Sequence, residues 1–114
     1  YSDYKNQKEL SASVKTRNGD VLKGRLVFDL DEAYDYEVLN GEDDDIEYVI
    51  PFRNIDKIMP KNYDNSEVIL KNGDKILLGE GQDVSDRNTG LLVFTDSSRP
   101  IYVIWDDVDE IVFN

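Results

Sequence analysis

At 114 residues, 39% of them hydrophobic, the chain has the size and apolar content of a compact folded unit rather than a disordered tail. Thirteen basic residues stand against twenty-five acidic ones, a formal net charge of −12, so a nucleic-acid backbone or an anionic membrane surface is repelled rather than bound. Histidine and cysteine are both absent, which excludes imidazole general bases, thiolate nucleophiles, disulfides and thiolate-held metals.

The apolar residues are mostly Val, Ile, Leu and Tyr, the set that strands prefer, and argue against a helical bundle. No run approaches the roughly 18 apolar residues of a membrane span. The chain begins at Tyr1 rather than Met, so a trimmed or mature form is expected.

In chain order, residues 1–10 are an N-terminal extension, of which Tyr1 to Glu9 carry no clear pattern and are expected to fray or to add an edge strand. Leu10, Ala12, Val14 and Thr16 then alternate with more polar neighbours, the period of a half-buried strand. Asn18-Gly19 supplies a tight turn, either of type I′ or with one positive-φ residue followed by a bulge. Leu22, Gly24, Leu26 and Phe28 share a face of the returning strand. Residues 29–45 form an acidic variable loop. Ile46, Tyr48 and Ile50 alternate in a further strand that Pro51 ends. Phe52-Arg53-Asn54-Ile55 fits a single 3₁₀ turn, and a brief strand runs from Asp56 to Met59.

After a turn-rich linker, residues 60–66, the order repeats. Val14-Lys15-Thr16-Arg17-Asn18-Gly19-Asp20 recurs as Val68-Ile69-Leu70-Lys71-Asn72-Gly73-Asp74, and Tyr48-Val49-Ile50 recurs at the same separation as Tyr102-Val103-Ile104. Asn54-Ile55-Asp56-Lys57-Ile58 matches Asp107-Val108-Asp109-Glu110-Ile111 after a one-residue deletion. The second hairpin, Val68-Ile69-Leu70 with Ile76-Leu77-Leu78, is denser in apolar residues and suits the centre of the structure. A second variable loop covers residues 79–90. Strands from Ile101 to Trp105 and from Val108 to Phe113 flank a turn at Asp106-Asp107. The expected fold is all-β: two repeated modules, residues 11–59 and 67–114, packed as two barrels or merged into one sandwich.

This order resembles SH3-like small barrels, including Sm-like and Tudor-like folds, on Asn18-Gly19-Asp20, on Ile50-Pro51-Phe52 with Ile55 and Ile58, and on their counterparts. Sm-like proteins bind RNA through basic and aromatic loops. The acidic loops here depart from that pattern, so RNA binding is not carried over. A second resemblance is to uncharacterised exported bacterial proteins. It rests on Gly90-Leu91-Leu92-Val93, the stretch Tyr102-Val103-Ile104-Trp105-Asp106-Asp107-Val108, and Ile111-Val112-Phe113. Gly81-Gln82-Asp83-Val84, Asn88-Thr89-Gly90 and Phe28-Asp29 with Asp31-Glu32 add to it. It implies an extracytoplasmic setting, periplasmic or secreted, and no known activity.

Two acidic clusters are candidate calcium ligands, because calcium takes six to eight oxygens and favours several carboxylates. The first holds Asp29, Asp31, Glu32, Asp35 and Glu37, then Glu42, Asp43, Asp44 and Asp45; the second holds Asp83, Asp86 and Asn88 before Gly90. No EF-hand spacing is present. Solvated carboxylates in the first cluster and turn-capping Asp and Asn in the second account for the same residues without a metal. The metal candidates are therefore Asp29, Asp31, Asp35, Asp83, Asp86 and Asn88. Trp105, Tyr34 and Tyr36 are candidates for stacking on a ligand, whereas Tyr48 and Tyr102 are expected to pack in or across the sheet. The expected function is a non-enzymatic interaction or accessory module with an unidentified protein partner, without nucleic acid and without membrane insertion. The alternatives are a calcium- or cation-binding protein using the acidic loops, and an acidic decoy of a basic protein surface.

Overall fold

The computed structural model describes residues 8–95 and 99–114; the expectations for residues 1–7 lie outside the described residues. The described residues contain ten strands: β1 Ser11–Thr16, β2 Val21–Phe28, β3 Val38–Asp43, β4 Ile46–Pro51, β5 Ile55–Pro60, β6 Asn65–Leu70, β7 Lys75–Gly79, β8 Leu91–Phe94, β9 Ile101–Val103 and β10 Val108–Phe113. Three 3₁₀ turns punctuate them at Phe52–Asn54, Gln82–Val84 and Trp105–Asp107. No α-helix is present among the described residues, so no helix there is long and apolar enough to cross a membrane.

All pairings are antiparallel, and the strands form one sheet in the order β4-β3-β7-β6-β5-β10-β1-β2-β8-β9. The protein is thus all-β with a single continuous sheet. The expected boundaries at 59 and 67 do not divide that sheet. The β3–β4 hairpin joins β7, and the β8–β9 hairpin joins β2. Its middle is the β5–β10 pair rather than the apolar β6–β7 hairpin.

Local chemistry explains these elements. At the first hairpin Gly19 N–H donates to the Thr16 carbonyl at 3.0 Å, and Thr16 N–H donates to the Asp20 carbonyl at 2.9 Å, with Gly19 at φ +97°. At the second, Gly73 N–H donates to Leu70 and Leu70 N–H to Asp74, at 2.9 and 2.8 Å, with Gly73 at φ +96°. Of the two turn forms expected, the bulged one is adopted, because only the glycine takes positive φ. The β3–β4 hairpin uses the other form, with Asp44 and Asp45 both at positive φ.

β3 and β8 fall inside or beside segments that the sequence reads as variable loops. In β3, Leu39 and Gly41 point inward and are buried, while Asn40 is exposed. Only one large apolar side chain in that strand faces the core, too little to register as alternation.

The core is one cluster. Leu26, Phe28, Leu39, Phe52, Ile55, Ile58, Leu78, Leu91 and Ile111 are its largest fully buried side chains. Phe28 sits 5.1 Å from Phe52 and edge-on to Trp105 at 5.7 Å, and Phe52 reaches Phe113 at 5.7 Å. Tilted and edge-to-face rings of this kind add about 0.5–1.5 kcal/mol per pair beyond their buried area.

β2 serves two neighbours, pairing β1 through Val21–Arg25 and β8 through Arg25–Phe28. Gly24 allows the switch: a Cβ there would meet the Phe94 carbonyl oxygen at 2.0 Å, a backbone atom that cannot swing aside. Gly24→Ala is accordingly expected to destabilise the fold by about 2–3 kcal/mol, as overpacked sites do. Chemical denaturation measures it, with Gly73→Ala, which has open space but positive φ, costing less.

Candidate metal centre

A tight turn closes directly after β2. Phe28 N–H donates to the Glu32 carbonyl at 2.7 Å, and Glu32 N–H and Asp31 N–H return to the Phe28 carbonyl at 2.9 and 3.0 Å. Asp29 and Leu30 inside it take positive φ. This turn brings the Asp29 and Glu32 side chains to the same side. The loop after β7 arrives from across the sheet through the 3₁₀ turn Gln82–Val84. Gly81 packs against the Asn40 carbonyl with no room for a side chain, and the Ser66 hydroxyl donates to the Val84 carbonyl at 2.8 Å.

The two loops place three carboxylates together. Asp29, Glu32 and Asp83 are all buried, at 8%, 8% and 7% exposure, and one carboxylate oxygen from each lies within 4.8 Å of the others. They line an open cavity of about 630 Å³ with Asp31, Tyr36, Glu37, Asn40 and Gln82.

Two of the three acids are braced by neutral donors. Asp29 Oδ1 accepts the Thr89 N–H at 2.6 Å and the Thr89 hydroxyl at 2.7 Å, and Gln82 Nε2 donates to its Oδ2 at 3.1 Å. Asp83 Oδ2 accepts the Asn40 N–H at 2.9 Å. Glu32 is different. Among the described residues its carboxyl meets other carboxyls, those of Asp31 and Asp83, and no N–H or hydroxyl bond to it is found. Burial first, then the charges of Asp83, Asp31 and Asp29, push Glu32 up to about 9, and every contribution acts in the same direction. Burial also raises Asp83 above the ordinary carboxylate range, against the lowering effect of the Asn40 N–H. The ion pairs Lys15–Asp109, Arg25–Glu9 and Arg53–Asp35 involve other residues.

Of the six metal candidates, the structure brings Asp29 and Asp83 together and sets Asp31, exposed, at the cavity rim. Asp35 lies apart, accepting the Lys8 N–H at 3.0 Å and facing Arg53 at 3.7 Å. Asp86 is exposed, with its N–H donating to the Tyr63 carbonyl. Asn88 is buried and works on the backbone: its side chain donates to the Asp83 carbonyl and accepts the Gly90 N–H, at 2.9 and 2.8 Å. That is the turn-capping role weighed above. Glu32 belongs to the first acidic cluster in sequence but was not singled out within it. A usable signal existed, because Asp29 and Asp83 are separated by the same number of residues as Asn18 and Asn72.

Tyr34 and Tyr36 stack on each other with ring centres 5.9 Å apart, and Tyr36 borders the acidic cavity. Trp105 is not the surface aromatic expected. It is 4% exposed and packs on Phe28, because it opens a 3₁₀ turn that swings the ring inward, as Phe52 does after Pro51. Its buried indole Nε1 has no hydrogen-bond partner among the described residues. Tyr48 packs partly against the core, whereas Tyr102 is 52% exposed with its hydroxyl donating to the Thr89 carbonyl.

Comparison with known proteins finds no family model, no curated protein and no solved structure that matches the chain.

Glu32 makes stability depend on pH. Its folded value of about 9 lies above its ordinary 4.5. Its contribution is therefore fully present below pH 4.5 and is lost as pH rises through about 9. In metal-free buffer the melting temperature should fall across that window. Glu32→Gln should remove most of the slope, raising the melting temperature at pH 8 by roughly 5 °C with little change at pH 4.5. Thermal melts of both proteins across the pH range provide the check.

Proposed function

We propose that this chain is a non-enzymatic binding module whose buried acid centre holds a divalent cation, calcium by the nature of its donors. The observation that carries the reading is Glu32, a nine-tenths buried carboxylate facing a cavity and met there by carboxyls. A buried anion in that position is costly unless a proton or a cation neutralises it. Ligands to one calcium ion sit about 2.3–2.6 Å from it, so their oxygens fall within roughly 5 Å of one another. Asp29, Glu32 and Asp83 meet that spacing. All three donors are oxygens, and the open cavity leaves room for water to complete six to eight ligands. Magnesium, which demands near-ideal octahedral geometry, suits an irregular set less well.

The scaffold is read as an internal duplication of SH3-like modules that exchange their third and fourth strands. Strand order supports this: reversing it and exchanging β1–β5 with β6–β10 returns the same order. A 3₁₀ turn joins β4 to β5 and another joins β9 to β10. Asp29 follows β2 and bonds the chain just before β8, while Asp83 follows β7 and bonds β3. On this reading the two aspartates are counterparts meeting near the axis between the modules, and Glu32 is an addition of the first module alone. An extracytoplasmic setting, where calcium modules work at dissociation constants of about 10⁻⁴–10⁻³ M, agrees with a site having only three carboxylates.

Calcium titration with a thermal melt tests the function. A ligand that binds only the folded protein stabilises it by about 2.7 kcal/mol at a hundredfold excess over its dissociation constant. Wild type should therefore gain roughly 10 °C in saturating calcium at pH 7.5 and less in magnesium. Asp83→Asn and Glu32→Gln should each lose most of the gain. Equal gains in wild type and both variants, or no gain at about 10 mM calcium, would defeat the reading.

A further inference from the structure

The β3–β4 hairpin lies at one end of the sheet: β3 borders the acid centre through Asn40, and β4 is the strand beyond it. β4 is an edge strand: among the described residues it pairs with β3 alone. Alternate residues of an antiparallel edge strand direct their N–H and C=O groups away from the sheet, ready for another strand. β4 is six residues long, at the common length for a strand, and its exposed residues include Ile46 at 57% and Val49 at 54%.

The charged side chains of the β3–β4 hairpin are all acidic. Glu47 stands directly opposite Glu42 in the pairing of β4 with β3. Glu42 is in turn opposite Gly79 of β7, and the next residue, Glu80, brings its carboxyl close to that of Glu42. A row of carboxylates therefore runs Glu47–Glu42–Glu80 inward from the edge. Like charges directly opposed across strands are destabilising, and the close Glu80 carboxyl raises the pKa of Glu42. The Asp44-Asp45 turn adds two more acids at the end of the hairpin.

A free backbone ladder on β4, with Glu47 on that strand and further acids on β3 and in the turn beside it, is complementary to a basic extended segment. We infer that β4 accepts an extended, lysine- or arginine-bearing segment of a protein partner as an additional strand. The ladder supplies backbone hydrogen bonds, Val49 on the face of Glu47 and Ile46 on the other face supply apolar contact, and a basic side chain opposite Glu47 meets the row that Glu47 and Glu42 form. A second copy of this chain does not fit, because its own β4 would set carboxylates against carboxylates and each copy carries a net charge of −12. Pro51 has no N–H, which confines the added strand to the stretch before it.

The test uses the full chain and an alternating lysine–threonine nonapeptide as the probe, followed by calorimetry and by amide chemical shifts. Binding is expected, with the shift changes centred on β4. A peptide of the same charge, N-methylated at alternate residues on its ladder-forming side, should bind at least tenfold more weakly, since it keeps the charge and loses the ladder. Glu47→Lys should also weaken binding at least tenfold while leaving the calcium-induced gain in melting temperature unchanged, which separates this site from the acid centre. Equal affinity for the N-methylated peptide, shift changes away from β4, or no binding at millimolar peptide would each overturn the inference.

Discussion

The structure depends on one constraint of connectivity: the hairpin β3–β4 is hydrogen-bonded to β7, and the hairpin β8–β9 to β2. Neither half of the chain can complete its own sheet. The loops leaving β2 and β7 must therefore cross toward each other, and the carboxylates that follow those strands meet. The crossing is fastened by side chains gripping backbone of the other half, Asp29 on Thr89 and Asp83 on Asn40. Charged hydrogen bonds of this type are stronger than neutral ones, and here they join segments far apart in sequence.

The packing beneath the crossing supplies the rigidity a binding centre needs. Phe28 ends β2, touches both Phe52 and Trp105, and is immediately followed by Asp29. Each of those two rings opens a 3₁₀ turn, one in each half. The aromatic core thus fixes the strand end from which the acidic turn departs. Apolar burial and ring contacts offset the electrostatic cost of placing Asp29, Glu32 and Asp83 within 4.8 Å of one another.

Both proposed functions use acidic groups held against one another, but in different surroundings. At the centre, burial makes the repulsion costly, and a compact divalent ion relieves it. Along β4 the acids are at the surface beside an open ladder, where screening weakens each charge and a basic strand offers backbone bonds as well as charge. Location decides which ligand each cluster suits, although the residue types are nearly the same.

Alternation and turn chemistry were enough to place β1, β2, β4, β5, β6, β7, β9 and β10, because Asn18-Gly19 and Asn72-Gly73 impose their turns locally and apolar residues recur every second position in most of these strands. The 3₁₀ turn after Pro51 was legible for the same reason. β3 was not, since Gly41 occupies a buried position against Leu78 and leaves no apolar signal there. Nothing local marks Trp105 as a core residue, since only the 3₁₀ turn it opens swings its ring onto Phe28. Among the acids, composition identified the two loops that contribute Asp29 and Asp83 but could not separate them from Asp35 or Asp86. Which carboxylates are buried depends on strand pairing between distant segments, and that pairing is decided by the whole core. The sequence by itself determined an acidic all-β chain free of histidine and cysteine chemistry, because composition and local turns need no long-range contact. Only the tertiary structure decided that Asp29, Glu32 and Asp83 meet, because the pairing of β3 with β7 and of β8 with β2 brings their loops together.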